Sequence, residues 1–258
     1  MITIKTRSEI DKMRFAADVA ARTFTHLNPH VLAGRTTQHL DQLAESYIRS
    51  QGCTPAFKNY KGFSGTCCMS VNDEAVHCLP SEYVLKDGDI IKIDLGADFE
   101  GWKSDTCKTY IVGTTTPEVE AFVRSGYEAM RKGIEQAVDG KYVHDISLAV
   151  QQFVRPLGYG IVEDFVGHGI GKNIHEDPKI PCVVPKMAGA RLAEGMVICI
   201  EPILTIFRNP LDGKAPKILK QGEWNTKTED ESLVCHWEHT IYIGPNGPEI
   251  LTLREEEK

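Results

Sequence analysis

Leu85-Lys-Asp-Gly88-Asp-Ile-Ile91-Lys-Ile93-Asp94 is the stretch that decides the fold, because it returns later as Leu192-Ala-Glu-Gly195-Met-Val-Ile198-Cys-Ile200-Glu201. A strand sends alternate side chains to opposite faces. In the first copy Ile91, Ile93 and Leu95 share an apolar face, and Lys92 and Asp94 point the other way. In the second copy Ile198 and Ile200 are apolar, and Cys199 and Glu201 oppose them. An acid thus sits at the same polar position of two apolar strands.

The repetition extends outward from there. Val76-His77-Cys-Leu-Pro80 matches Ile174-His175-Glu-Asp-Pro178, and Leu40, Tyr47, Ile48, Arg49 and Gly52 match Ile146, Phe153, Val154, Arg155 and Gly158. Three matches in one order, at a nearly constant offset of about 100 residues, indicate a duplicated helix-plus-strands unit. The helices are legible too. Thr6-x-x-Glu9 is a capping box opening an amphipathic run through Ile10, Met13, Ala17, Ala20, Phe24 and Leu27, stopped by Asn28-Pro29. A second helix reads from Thr37 to Gly52, a third opens at Thr116-Pro117, and a fourth runs about 145–157 and ends at Gly158. Thr114–Pro117 therefore divides the chain into halves of about 1–115 and 116–258. Paired copies usually face one another across a pseudo-twofold axis, which places the expected site at their junction. The tail Arg254-Glu-Glu-Glu-Lys258 reads as solvated.

Composition limits the partners. The chain has 258 residues, 41 % of them hydrophobic and 25 % charged, and a net charge of −7. That is an ordinary globular composition, long enough to bury a core without disulfides. The acidic balance gives no broad footprint for nucleic acid, and no apolar run approaches the roughly 20 residues of a membrane span. The start lacks the apolar core of a signal peptide, so the expected location is cytoplasmic. Eight cysteines include no C-x-x-C pair, which argues against zinc-finger spacing and for reduced, partly buried thiols, Cys68 excepted.

Two further predicted strands begin with acids, Asp105 and Glu238. Four converging carboxylates would repel one another and hold protons unless cations balanced them, and two divalent ions do so formally. Oxygen donors with one or two imidazoles suit Mn, Fe or Co, as well as Zn. The candidate imidazole is His168 in Gly167-His168-Gly169-Ile170-Gly171, whose glycines would let the backbone hold it in an unusual conformation. A phosphate loop is the rival reading, but neither glycine fingerprint for phosphate is present. His175 follows seven residues on, with His77 as its counterpart.

Read together, these motifs resemble the type I methionine aminopeptidases. The resemblance rests on Cys68-Met-Ser-Val-Asn-Asp-Glu-Ala-Val-His77-Cys-Leu-Pro80, Asp94 with Asp105, the His168 loop, His175-Glu-Asp-Pro178, Ile200-Glu201-Pro202 and Trp237-Glu238-His239-Thr240. Pro55-Ala-Phe57 and Trp224-x-x-Lys227-Thr continue it, so that it covers nearly the whole chain. It implies an α+β "pita-bread" (creatinase/aminopeptidase) fold, with two pseudo-symmetric helix-plus-antiparallel-sheet halves forming one catalytic domain over 1–258.

The resemblance also implies the chemistry. Asp94, Asp105, His168, Glu201 and Glu238 would hold two divalent ions (Co, Mn, Fe or Zn), with Asp105 and Glu238 bridging. A metal-bridging water or hydroxide would attack the scissile carbonyl, with Glu201 as proton shuttle, His175 beside the oxyanion and His77 on the substrate amide. Phe57, Tyr60, Phe63, Cys68 and Trp224 would line the methionine pocket. The substrates would be nascent polypeptide N-termini with a small second residue, handled by a monomer in transient ribosome association, without membrane or specific nucleic acid. Departures from the pattern are Cys78 where glycine is common, Lys61 where histidine is frequent, and a longer segment 203–223 containing the turn-like Asn209-Pro-Leu-Asp-Gly213. A proline-specific relative usually carries a large N-terminal domain, and a non-enzymatic binder on this fold would have lost ligands.

Overall fold

Thr6 opens the first helix as its capping box requires. In the computed structural model, which describes residues 1–206 and 215–258, helix α1 spans Arg7–Leu27. The Thr6 hydroxyl accepts the Glu9 N–H and the Glu9 carboxylate accepts the Thr6 N–H, a cap worth about 1 kcal/mol. Helix α2 spans Thr37–Ser50 behind the Thr36 cap, and α3 spans Pro117–Ile134 behind Thr116. Helix α4 spans Val143–Val154, two residues ahead of the expected start, because the Asp145 carboxylate reaches back to the Tyr142 N–H. Duplication shows in the backbone as well. Gly52 and Gly158, which follow the matched helices, both have φ +77, and Gly88 and Gly195, which precede the matched strands, have φ +88 and +89.

Each half builds the same three antiparallel strands. In the first, Ile90–Leu95 lies between Cys67–Val71 and Thr106–Ile111, with Cys68 and Cys107 opposite Asp94 on either side. In the second, Val197–Ile200 lies between Gly167–Gly169 and His239–Gly244, with Glu176–Ile180 and Gly247–Ile250 added outside. Each sheet packs on its own helix pair. Ile91, Ile93 and Leu95 join Phe24, Leu27, Leu40 and Ile48 of α1 and α2. Ile198 and Ile200 join Phe122, Met130, Ile146 and Val150 of α3 and α4. Burying each such side chain contributes roughly 1.5–3 kcal/mol, which fixes the strand faces and hence the direction of Asp94 and Glu201. Lys92, on the face of Asp94, is buried as well, its ammonium on the Asn72 carbonyl at 2.8 Å.

The sheets are stitched where the acids begin their strands. The Cys107 N–H donates to the Glu238 carbonyl and the Glu238 N–H to the Cys107 carbonyl, at 3.3 and 3.0 Å. The Thr240 hydroxyl donates to the Asp105 carbonyl and accepts the Asp105 N–H. Arg254 overturns the expectation of a solvated tail. It is completely buried and donates to the Thr106 hydroxyl and to the Cys107 and Glu238 carbonyls, while Glu257 bonds its guanidinium. Carbonyls collected at this junction need a donor, and a charged tail supplies one that composition cannot reveal. Beyond Ile203–Thr205, the Asn209–Gly213 turn lies outside the described residues. Ile218–Gln221 and Asn225–Thr228 then form a hairpin whose connecting turn carries Trp224.

Candidate metal centre and adjoining cavity

Asp94, Asp105, His168, Glu201 and Glu238 all line one cavity of about 190 Å³. Asp94 projects from its strand opposite the buried isoleucines, Asp105 and Glu238 immediately precede theirs, and Glu201 immediately follows Val197–Ile200. His168 is the central residue of Gly167–Gly169. Ligand-type atoms of Asp105, His168, Glu238 and Cys199 lie within 4.8 Å of one another.

Burial raises the carboxyls of Asp105, Glu201 and Glu238 well above their ordinary values, and their mutual repulsion adds to it; burial also raises Asp94. Among the described residues no Lys or Arg forms an ion pair with any of the four. Asp94 Oδ1, Asp105 Oδ1 and Glu238 Oε1 are buried without a hydrogen-bond partner. Unanswered acceptors of this kind are costly, and a divalent cation satisfies them, so the donor set fits a metal centre. The imidazole is prepared in the same sense. His168 Nδ1 lies 2.9 Å from the Gly169 carbonyl, so Nδ1 carries the hydrogen and Nε2 presents a lone pair towards Glu201 Oε1, 3.5 Å away. Burial lowers the His168 pKa to about 4, keeping that lone pair free at neutral pH.

The other side of the cavity is apolar. Phe57, Phe63, Cys68 and Ile174 cluster with Tyr60 and Trp224. Phe63 and Trp224 meet edge to face at 5.2 Å. Cys68 joins wall to floor, since its strand position is opposite Asp94, and burial keeps its thiol protonated. His175 stands between the two regions. Its Nδ1 is 3.1 Å from the Tyr60 hydroxyl, and its ring packs on His168 with centroids 4.5 Å apart. His77 has φ +62, a strained conformation for a residue with a side chain, and its ring stands edge-on to Phe165 at 5.4 Å. Burial lowers the His77 pKa to about 4. Lys61, also at φ +49, lines the cavity with its ammonium 5.2 Å from the Tyr60 ring centre. Cys78 faces away, its thiol towards the Val76 and Thr226 carbonyls.

The structure thus brings every site residue named from the sequence to one cavity, but it corrects the role of the glycines. Gly167 and Gly169 are not in the left-handed region. A Cβ at Gly167 would lie 2.3 Å from the Cys199 carbonyl oxygen, and one at Gly169 would lie 2.1 Å from that of Asp177. They permit close approach of neighbouring strands rather than an unusual backbone. Sequence reasoning missed Phe165 and His236, which also line the cavity, although His236 and Glu238 share strand parity, which would have put them on one face. All eight cysteines are free and buried.

The sequence pattern of metallopeptidase family M24 matches residues 11–245. The methionine aminopeptidase of Clostridium acetobutylicum is 40 % identical over 256 residues, spanning 99 % of this chain and 100 % of that protein. Methionine aminopeptidase 1 of Bacillus subtilis is 40 % identical over 252 residues, spanning 98 % and 99 %. The crystal structure of methionine aminopeptidase from Rickettsia prowazekii aligns with a TM-score of 0.92 at 35 % identity, over 98 % of this chain and 100 % of that one. Prolidase from Pyrococcus furiosus, at 24 % identity, shares the fold with a TM-score of 0.79, over 98 % of this chain and 66 % of that one.

Proposed function

The chain belongs to metallopeptidase family M24, on its type I methionine aminopeptidase branch, and from that premise we propose how its cavity removes an N-terminal methionine. The fold is the α+β pita-bread arrangement, the activity is that of a metal-dependent aminopeptidase, and the substrates are protein N-termini. The observation that carries the proposal is the apolar wall of Phe57, Tyr60, Phe63, Cys68 and Trp224 abutting a floor of four buried carboxylates and His168.

Asp94, Asp105, His168, Glu201 and Glu238 hold two divalent ions in this reading, and the whole of 1–258 works as one catalytic domain with halves at about 1–115 and 116–258. Divalent cations, when bound, lower the pKa of water and polarise carbonyl oxygens. The wall accepts the methionine side chain, whose unbranched thioether makes favourable contacts with aromatic edges. His77 holds the substrate amide. His175, oriented by the Tyr60 hydroxyl, donates to the carbonyl oxygen as negative charge develops there. Glu201 takes a proton from the water that adds to the carbonyl carbon and passes it to the amine nitrogen as the C–N bond breaks. A small second residue is preferred in this reading.

The same reading places a monomer in the cytoplasm, meeting nascent chains in transient contact with the ribosome. Among the described residues no helix is long and apolar enough to cross a membrane. The test is a metal-dependence assay on a Met-Ala-Ser peptide and an Xaa-Pro peptide, with metal analysis of protein purified without added metal. Cleavage of the first alone, with about two ions per chain, is expected. Preference for the Xaa-Pro peptide, or turnover unaffected by chelation, overturns the reading.

A further inference from the structure

Of the four imidazoles lining the cavity, His236 alone has no task in the reading above. Its backbone is held from two sides. The Val234–His236 strand pairs with Ile203–Thr205, placing His236 opposite Ile203. Thr109 clamps the other edge, its hydroxyl accepting the His236 N–H at 2.9 Å and donating to the His236 carbonyl at 2.7 Å. The ring therefore points where the backbone sends it, and its side chain is 3 % exposed.

His236 Nε2 is buried and has no hydrogen-bond partner. It lies 3.5 Å from Glu201 Oε2, while His168 Nε2 lies 3.5 Å from Glu201 Oε1. Both separations exceed the roughly 2.7–3.2 Å of an N–H···O bond. Two donor atoms each about 2.1 Å from one ion, at a tetrahedral angle, stand about 3.4 Å apart. The two imidazoles thus flank the two oxygens of one carboxylate at the spacing of a shared coordination sphere. Cys107, the strand partner of Asp94, directs its thiol at the His236 carbonyl, so His236 lies on the Asp94 side of the cavity.

We propose that His236 is a sixth metal ligand, giving an imidazole nitrogen to the cation position beside Asp94 and Glu201. This rests on the dinuclear reading above and adds to it. With His168 assigned to the other cation position, the one beside Asp94 is otherwise all carboxylate, and a nitrogen donor there moves its preference from hard cations such as Mn(II) towards Co(II) and Zn(II). The two positions then resemble each other, with one imidazole apiece.

Calorimetric titration of the full chain with Co(II) and with Mn(II), on wild type and on His236→Gln, tests this. The wild type is expected to take up two Co(II), and the variant to lose at least about 10-fold in affinity for one of them while the other is unchanged. The loss for Mn(II) should be smaller. Proton NMR of the Co(II)-loaded wild type should show two solvent-exchangeable, hyperfine-shifted imidazole N–H signals, from His168 and His236. That spectrum reads the assignment even where His236→Gln fails to fold. A single such signal at two bound equivalents, or unchanged isotherms in the variant, overturns the sixth ligand and leaves the dinuclear reading standing. A wild type that binds no more than one ion overturns both.

Discussion

The two halves share strand order and turn glycines, yet they bring opposite materials to the cavity. The first supplies most of the apolar wall, Phe57, Tyr60, Phe63 and Cys68, with one imidazole, His77, and two carboxylates, Asp94 and Asp105. The second supplies Glu201, Glu238 and the imidazoles of His168, His175 and His236, with Trp224 from a hairpin that has no counterpart among the described strands of the first. Duplication preserves what the core demands, namely apolar parity on each central strand. Side chains facing the cavity escape that demand and diverge, so the first half contributes most of the apolar wall and the second Glu201 and three of the four imidazoles, which under the proposed function divides selection from proton transfer.

The sharpest test of this division is Glu201→Gln against Asp94→Asn, its first-half counterpart. Glu201→Gln keeps the shape but removes both a charge and a base, and a loss of roughly 10²–10⁴-fold in kcat at saturating metal is expected from the proton-transfer role alone. Asp94→Asn should be rescued substantially by excess metal. Equal rescue of both would break the assignment of proton transfer to the second half.

Within the second half, His168→Ala and His175→Ala should fail differently. His168→Ala weakens metal binding. His175→Ala leaves metal binding intact and costs about 10²–10³-fold in turnover, the usual loss for a donor to a developing oxyanion. Paired metal titrations and single-turnover kinetics separate them, and the reversed pattern would refute both roles.

The wall should set selectivity more than rate. Trp224→Ala is expected to reduce the preference for Met over Leu by about 10–200-fold in kcat/KM, with a smaller effect on metal affinity. A variant that still rejects Leu as the wild type does would place the selective contacts elsewhere.

Smaller, but specific to the floor, is a dependence of stability on pH. Asp105, Glu201 and Glu238 have folded-state pKa values raised by burial and mutual repulsion. At these groups the folded protein without metal therefore binds more protons than the unfolded chain above the ordinary carboxylate value, 4.5 for Glu. The contribution of these carboxyls to stability falls as pH rises from there towards the raised values. Burial holds His77, His168, His236 and His239 at about 4, which opposes this trend below the ordinary histidine value of 6.5, so melting of chelated protein should show Tm decreasing as pH rises above about 6.5, and Mn(II) should restore more there. A gain from metal that does not vary with pH would mean the carboxylates are not its ligands.

Much of this was legible in one chain. Capping boxes, helix stops and strand parity are local, because each depends on residues within a few positions, so α1 and the faces of Ile90–Leu95 and Val197–Ile200 could be read directly. The duplicated acids gave the floor for the same reason, and the motif resemblance gave the wall. Contacts between residues far apart in sequence were not legible. His236 owes its place to Thr109 and Ile203, and Arg254 becomes a buried clamp only because the Cys107 and Glu238 carbonyls converge. Gly167 and Gly169 looked like conformational freedom but serve to admit the Cys199 and Asp177 carbonyls. Sequence determined which residues alternate and where helices begin, since those follow from short-range sterics and hydrogen bonding. The tertiary structure alone decided which buried polar groups face each other, because a pair's distance depends on how two sheets dock.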